Sequence, residues 1–277
     1  GDSKSIVLPT DWADSLVKTT VPVLASSLVG VKITNNGIES NAVRFVVSGG
    51  ENLTNPLISN TSPSAGPAGE YITITGKNFG SNMGAVWFKE AAQNEAILGD
   101  FSFPSTCQGS VWRDDQIIVK FPKGKGIIGT SYVIQVKTAD NKVSSFESAS
   151  TYILKSGTPS PGICKISPLS GTSPLPDNQT MTITGEYFGT NSQIYFWKAG
   201  ANSSSIDGRL VVDQSSVVKA SDNTIELKPP AGISSGPVVV LRPADKLLSN
   251  PEQFQVVDCV KSNNTCPVAG SVCCTSG

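Results

Sequence analysis

Apolar and polar residues alternate along many short segments of the chain, which is the pattern of half-buried β-strands. In the stretch from Tyr71 to Thr75 isoleucines alternate with threonines, which predicts one buried side and one solvent-facing side. Further apolar segments predict three β-hairpins, Val29–Thr34 with Ala42–Val47, Tyr132–Thr138 with Ser145–Ile153, and Val238–Leu241 with Glu252–Val257. Their connections have typical hairpin turn residues: Asn35-Asn36-Gly37, Ala139-Asp140-Asn141 and Ala244-Asp245-Lys246.

One segment occurs three times in the same register, and it predicts the domain organisation. It runs from Trp12 to Pro22, from Trp112 to Pro122 and, more weakly, from Ala220 to Pro230. A period of roughly 100 residues is too long for a solenoid and suits a string of small all-β domains. The register favours a core role over a ligand platform for Trp12 and Trp112. A turn-capping role is expected for the aspartates two positions further on, Asp14, Asp114 and Asp222.

Two more motifs recur in order in the middle and C-terminal parts of the chain. Each set opens with Ser-Pro, at Ser62-Pro63 and Ser167-Pro168, and continues to an Ile-Thr-Gly-x-x-Phe-Gly bend, at Ile74–Gly80 and Ile183–Gly189. The glycines are expected to allow a tight bend with positive φ. The aromatic residues Phe79 and Phe188 are expected to plug one end of a sandwich.

With the closing patterns Ser40-Asn41…Phe45 and Ser249-Asn250…Phe254, these motifs closely resemble the IPT/TIG family of immunoglobulin-like domains. The resemblance covers residues 10–257 approximately and implies tandem seven-stranded β-sandwiches. The third repeat departs from the pattern by having Ala220 in place of tryptophan, and the second contains an insertion, Ala91–Gly109. Because relatives range from receptors and adhesins to polysaccharide-degrading enzymes and transcription factors, the family implies a fold and not a function.

The motifs divide the chain into four parts: half of an IPT/TIG domain at 1–49, whole domains at 56–155 and 161–258, and a tail at 259–277. Nothing before Trp12 resembles the Ser-Pro opening or the Phe-Gly bend. The half-domain would expose an apolar face, so it is either cut from a longer protein or completed by another chain. The short apolar segment Ile6, Val7, Leu8 is a candidate for strand exchange, or is simply an ordinary strand.

Six cysteines bear on the compartment and on the tail. Four of them lie in the last 19 residues, Cys259, Cys266, Cys273 and Cys274, where few other apolar residues occur. This spacing predicts a disulfide-stapled cap and an oxidising, extracytoplasmic location, with a zinc site as the rival interpretation. Cys107 and Cys164 either pair with each other, which would lock the angle between two domains, or pair with tail cysteines.

Composition and charge narrow the classes of function. The net charge of −1 predicts no electrostatic attraction to nucleic acid or to an anionic membrane surface. The absence of histidine from the 277 residues excludes Ser-His-Asp and Cys-His mechanisms and histidine-ligated metals. No nucleophile–base pair or paired-carboxylate motif stands out, and no cofactor or membrane insertion is expected.

Three aromatic residues are candidates for stacking on sugar rings. Trp87, Tyr195 and Trp197 lie in predicted strands whose other face carries Val86, Phe88, Ile194 and Phe196, so they are expected to point outward. Ordinary half-buried packing is the competing interpretation.

The sequence therefore predicts a non-enzymatic secreted or cell-surface structural protein. It would be an adhesin stalk, or a subunit of an extracellular filament or surface layer, whose partners are other protein subunits held through β-sandwich and β-strand contacts. The alternative is a carbohydrate-binding accessory module of a polysaccharide-degrading enzyme, with glycans as ligands.

Overall fold

The computed structural model describes residues 11–13, 16–18, 28–40, 43–46, 55–90, 96–144, 151–173, 175, 179–198 and 208–257. These residues form strands and turns, with short 3-10 turns at Ser105–Cys107 and Gln214–Ser216, so the all-β prediction is confirmed. The chain divides into two compact units, 1–54 and 55–277. The candidate exchange strand and the tail cysteines lie outside the described residues.

The described residues of the first unit form three antiparallel strand pairs. β1 (Asp11–Ala13) pairs with β2 (Leu16–Lys18), and β3 (Leu28–Val31) pairs with β6 (Val43–Val46). Between β3 and β6, β4 (Thr34–Asn35) pairs with β5 (Ile38–Glu39) across a turn in which Asn36 and Gly37 have φ of 49° and 81°. The predicted Asn-Gly hairpin is confirmed, because positive φ at both central residues is what such a turn requires. The interpretation of 1–49 as half a domain stays a prediction.

The described residues between 57 and 154 form a β-sandwich in the second unit, which we call sandwich A. One sheet has the order β11-β10-β13-β14-β8 and the other the order β12-β9-β7. The apolar core between them includes Ile72, Ile74, Phe88, Ile117 and Ile134. The strands are β7 (Leu57–Ser62), β8 (Ala65–Gly66), β9 (Tyr71–Lys77), β10 (Ala85–Glu90), β11 (Ala96–Leu98), β12 (Gln116–Lys120), β13 (Ser131–Lys137) and β14 (Thr151–Leu154).

The described residues between 162 and 256 form another β-sandwich, sandwich B. Its sheets have the orders β15-β17-β21-β20 and β16-β24-β22-β18-β19, and β23 pairs with β22. Its separate core includes Ile183, Phe188, Phe196, Ile225 and Phe254. The strands are β15 (Gly162–Ser167), β16 (Ser170–Gly171), β17 (Met181–Glu186), β18 (Gln193–Trp197), β19 (Arg209–Val211), β20 (Val217–Ala220), β21 (Thr224–Leu227), β22 (Gly236–Arg242), β23 (Leu247–Leu248) and β24 (Glu252–Val256).

The two Phe-Gly bends are held by the same carboxylate contact. Asp114 Oδ1 accepts a hydrogen bond from the backbone N–H of Gly80 at 2.9 Å, and Asp222 Oδ1 accepts one from Gly189 at 2.9 Å. The capping role expected for these aspartates is confirmed, although each caps the bend of a distant segment instead of its own turn. Asp14 lies outside the described residues.

The aromatic residues of the bends are buried in the two cores as predicted. Trp112 is also buried and donates its indole N–H to the Phe79 carbonyl at 3.2 Å, which bears out its core role. The side chain of Trp12 is outside the described part of the chain.

The expectation that all four bend glycines supply positive φ is only half right. Gly80 and Gly189 have φ of 77° and 72°, but the other left-handed residue of each bend is Asn78 or Tyr187. Gly76 and Gly185 are needed for a different reason, because a Cβ on either would collide with the backbone of the neighbouring strand, at the carbonyls of Leu57 and Gly162.

A serine closes the hairpin in each of the three repeats. Ser40, Ser144 and Ser249 each donate their backbone N–H to the facing strand, at 2.8 Å, to the carbonyls of Ile33, Val136 and Val240. Each serine Oγ also accepts the N–H of that same facing residue, at 2.9 to 3.0 Å. The hydroxyl therefore replaces a backbone carbonyl where the ladder is irregular, which gives a physical reason for the recurrent serine.

Candidate functional site: the junction between the sandwiches

The outer face of the β12-β9-β7 sheet is buried against sandwich B. Thr73 is 1% exposed and all five residues of β12 are buried. The prediction of a solvent-facing threonine side for β9 is therefore wrong, because sandwich B covers the side that an isolated domain would leave wet. On that side Tyr71 and Ile118 form an apolar cluster with Val111 and both Cys107 and Cys164.

The structure brings Cys107 and Cys164 together in a disulfide inside this cluster. Their Cα atoms are 5.6 Å apart, and both residues are fully buried. Ser110 donates its hydroxyl to the carbonyls of Cys107 at 2.6 Å and Cys164 at 3.0 Å, so one side chain spans both sandwiches. A loop closed over a sequence separation of 57 residues is stabilised by about 4 kcal/mol in the chain-entropy description.

A buried carboxylate at the start of β24 pairs with sandwich A. Glu252 is fully buried and accepts hydrogen bonds from Arg113 Nη1 at 2.7 Å and from Gln116 Nε2 at 2.5 Å. Burial raises the pKa of Glu252, and the opposing effects of Arg113 and Gln116 do not cancel that rise. Because removing one partner would leave a charge in a dry site, this contact ties the two sandwiches to one relative position.

Asn250 makes a second buried polar contact two residues earlier. Its Oδ1 accepts the N–H of Ile163 at 2.7 Å, and its Nδ2 donates to the Ile163 carbonyl at 2.8 Å. The same Nδ2 donates to Thr73 Oγ1 of sandwich A at 2.9 Å, and that hydroxyl donates to the Pro251 carbonyl at 2.8 Å. The asparagine of the closing Ser-Asn motif thus links the N-terminal strand of its own sandwich to the neighbouring sandwich.

A lysine–tyrosine–glutamate cluster occupies another part of the junction. Tyr71 donates its hydroxyl to Glu186 Oε2 at 2.5 Å, and Lys120 Nζ lies 3.4 Å from the same oxygen. Lys120 also donates to the Ser102 carbonyl at 2.5 Å and lies 4.9 Å from the centre of the Phe103 ring. Burial, followed by the hydrogen bond to Glu186, raises the pKa of Tyr71, so the phenol stays protonated.

The segment that connects the sandwiches is held at Pro159 and Ser160 by contacts from both of them. The Arg242 guanidinium donates to the carbonyls of Pro159 at 2.9 Å and Tyr187 at 2.8 Å. The backbone N–H of Ser160 donates to Glu70 Oε2 at 2.9 Å. The linker is thus fastened to both sandwiches.

The candidate glycan-stacking residues lie on outer sheet faces. Trp87, Tyr195 and Trp197 are half-buried, on the opposite side of their strands from the buried Val86 and Ile194. The Tyr195 hydroxyl donates to Gln193 Oε1 at 2.8 Å. Trp87 and Tyr195 occupy equivalent positions of the two repeats, and neither belongs to the apolar cluster at the junction.

Sequence reasoning did not single out Tyr71, Arg113, Lys120, Glu186 or Glu252 as junction residues. One signal was present in the run Ile117-Ile118-Val119, where three consecutive apolar residues break the alternation expected of a half-exposed strand. Such a run is typical of a strand buried on both faces. The charged and polar partners carried no comparable pattern.

Within the part of the chain that the structure describes, no group of three or more cysteine or acidic residues is arranged to hold a metal ion. No helix in the described ranges is long and apolar enough to cross a membrane.

Comparison with known proteins identifies the fold of sandwich A. Residues 56–152 match the family model described as the IPT/TIG domain, so this segment is an IPT/TIG domain. A cyclomaltodextrin glucanotransferase of Bacillus sp. (strain 6.6.3) is 29% identical over 114 residues. That alignment covers 41% of this chain and 13% of the relative, so the match spans only a small part of the relative's length.

Similar solved structures include a Bacteroides ovatus mixed-linkage glucan utilization locus SGBP-B in complex with a mixed-linkage heptasaccharide (14% identity, TM-score 0.28, 91% of this chain and 58% of that one). The surface glycan-binding protein PbSGBP-B of Prevotella bryantii is similar at 15% identity and a TM-score of 0.26, over 72% of this chain and 42% of that one. The gamma-CGTase of alkalophilic Bacillus clarkii is similar at 14% identity and a TM-score of 0.28, over 80% and 28%. Likenesses of this size carry no functional argument.

Proposed function

We propose that the chain is a non-catalytic structural segment of a secreted or cell-surface protein, in which sandwiches A and B act as one rigid body. The observation that carries the proposal is the dry junction, where a fully buried disulfide and the buried side chains of Asn250 and Glu252 join the sandwiches. Two independent domains joined only by a flexible linker would not need to bury polar groups between them. A disulfide in that position also favours an oxidising, extracytoplasmic location.

In this role the chain is an adhesin stalk or a subunit of an extracellular filament or surface layer. Its partners are other protein subunits, joined through β-sandwich faces and strand edges, and completion of residues 1–49 by another chain belongs to the same proposal. A rigid pair of sandwiches transmits force and orientation without a flexible hinge, which suits both an adhesin stalk and a subunit of a filament or surface layer.

Electron microscopy of the native material under non-reducing conditions tests this proposal. Ordered filaments or sheets would support the assembly subunit, and isolated rods of constant shape would support the stalk. Particles in which two bodies meet at widely varying angles would contradict the rigid unit.

A carbohydrate-binding accessory role is the second candidate. Two observations favour it: the match to a cyclomaltodextrin glucanotransferase over 114 residues, and the half-buried aromatic residues Trp87, Tyr195 and Trp197 on the outer faces. If those aromatics stack on sugar rings, Trp87→Ala or Trp197→Ala weakens binding to any glycan found on an array. Unchanged binding in both variants would exclude the aromatic faces as the contact surface.

A further inference from the structure

A groove runs along the outside of the junction, where sandwich A meets the β16-β24 edge of sandwich B. It consists of two adjoining openings of about 450 and 250 Å³, which share Arg113 and Leu169 as lining residues. We call it the waist groove. Its other polar lining residues include Gln108, Ser110, Asp115, Lys165, Gln253 and Gln255.

The polar groups of the waist groove include free amides. Gln108, Gln253 and Gln255 are exposed, and within the described residues their side chains make no hydrogen bond. Gln253 and Gln255 alternate along β24, so they lie on the same outer face of sandwich B. Each amide offers both donors and an acceptor, which is the combination that vicinal sugar hydroxyl groups require.

The charges of the waist groove balance. Arg113 and Lys165 are cationic, and Asp115 and Glu252 are anionic, with Glu252 already paired to Arg113. The groove therefore offers no net field that would select an acidic polysaccharide or a cationic peptide. A neutral, hydroxyl-rich ligand fits this balance.

Leu169 adds an apolar contact at the point where the two openings meet. It is 44% exposed, although it follows the Ser167-Pro168 turn of a polar loop. The equivalent residue of sandwich A, directly after Ser62-Pro63, is Ser64. Exposed apolar area beside free amides suits the mixed C–H and O–H surface of a sugar ring, whereas a peptide would need a deeper apolar pocket to anchor a side chain.

We propose that the waist groove binds a neutral oligosaccharide chain, with Gln253 and Gln255 of β24 and Gln108 of the insertion contacting its hydroxyl groups. This inference rests on the second candidate function and moves its site from the outer aromatic faces to the junction. The site exists only while the two sandwiches are docked, because its lining residues come from both.

Titration calorimetry with maltoheptaose and with a mixed-linkage glucan heptasaccharide tests the proposal on the full, non-reduced chain. Removing both amides in Gln253→Ala/Gln255→Ala is expected to weaken binding of the recognised oligosaccharide by about tenfold or more. The charge introduced by Leu169→Asp is expected to weaken it similarly. Lys219→Ala, on the exposed strand β20, is the control that is expected to leave the affinity unchanged, with equal melting temperatures as the folding control. Trp87→Ala reports on the competing site on the outer aromatic face.

The outcomes separate the two claims. Binding that is lost in Trp87→Ala but kept in the glutamine variant would overturn the waist groove while preserving the carbohydrate role. If neither oligosaccharide binds the wild-type chain, both the groove and the second candidate function fail for neutral glucans.

Discussion

Strands β12 and β21 occupy equivalent positions of the two sandwiches, and they differ in what their outer faces contact. Their inward residues are alike, Ile117 and Val119 in β12 and Ile225 and Leu227 in β21, and all four are buried. The outward position between them holds Ile118 in β12 and Glu226 in β21. Ile118 is fully buried in the junction, whereas Glu226 is only half-buried.

This difference shows that the fold and the docking of the sandwiches reside in different positions of the same strands. The inward residues and the clamps of the Phe-Gly bend build a sandwich in both repeats. The outward residues influence whether the outer face of a sheet contacts solvent or packs against another sandwich.

The largest effect should come from removing the Cys107–Cys164 disulfide, which would not exist between domains that are connected only by a flexible linker. Replacing both partners in Cys107→Ser/Cys164→Ser is expected to lower the free energy of unfolding by about 4 kcal/mol, because the denatured chain regains the freedom of a long loop. Chemical denaturation of both proteins under non-reducing conditions measures this. A loss under about 1 kcal/mol would mean that the junction does not depend on the bond.

The matched outward positions provide the next test. Ile118→Ala should cost roughly 3 kcal/mol, since it opens a cavity in the junction cluster. Glu226→Ala, at the equivalent position of sandwich B, should cost about 1 kcal/mol or less, because its hydrogen bond from Thr180 lies near the surface. Chemical denaturation measures both changes. Equal decreases in the free energy of unfolding would show that the outward residues of the two strands contribute equally to stability.

The carboxylate clamps should behave alike in the two sandwiches. Asp114→Ala and Asp222→Ala each remove one hydrogen bond to a glycine N–H of the bend, and each is expected to cost about 1 kcal/mol. Melting temperatures of the two variants measure this, and Asp→Asn variants, which keep an acceptor oxygen, are the control. A large loss in only one sandwich would contradict the shared role.

A pH dependence should distinguish the junction from the rest of the molecule. Because the folded-state pKa of Glu252 is raised above its ordinary value of 4.5, the folded state binds more protons than the unfolded state just above that pH. Relative to Glu252→Gln, the wild type should therefore lose stability as pH rises from about 4.5 through the folded-state pKa of Glu252, and the difference should be constant below that window.

Denaturation of both proteins between pH 4 and 8, approximately, measures this difference. The groups that face Glu252 are Arg113, Gln116 and Asp115. Arg113→Lys is the appropriate second variant, because it keeps the positive charge beside the Glu252 carboxylate. Parallel stability curves for wild type and Glu252→Gln would contradict the raised pKa.

Much of the architecture was readable from the chain. Alternating isoleucines and threonines, the Asn-Gly turn at Asn36-Gly37 and the bends around Phe79 and Phe188 are local signals, and each depends on residues close in sequence. Local backbone preferences and side-chain periodicity therefore sufficed to predict an all-β fold of the IPT/TIG type.

The docking of the sandwiches was decided only by tertiary structure. Thr73 looks solvent-facing by periodicity, yet sandwich B covers it and Asn250 donates to its hydroxyl from 177 positions away in the chain. Glu and Arg are residue types that are usually exposed, so the sequence gives no reason to expect Glu252 and Arg113 to be paired at a buried contact. Their pairing depends on how the two folded sandwiches pack against each other. The apolar run Ile117-Ile118-Val119 indicates that the outer face of β12 is buried, but no local pattern specifies which residues of sandwich B cover it or that Glu252 pairs with Arg113.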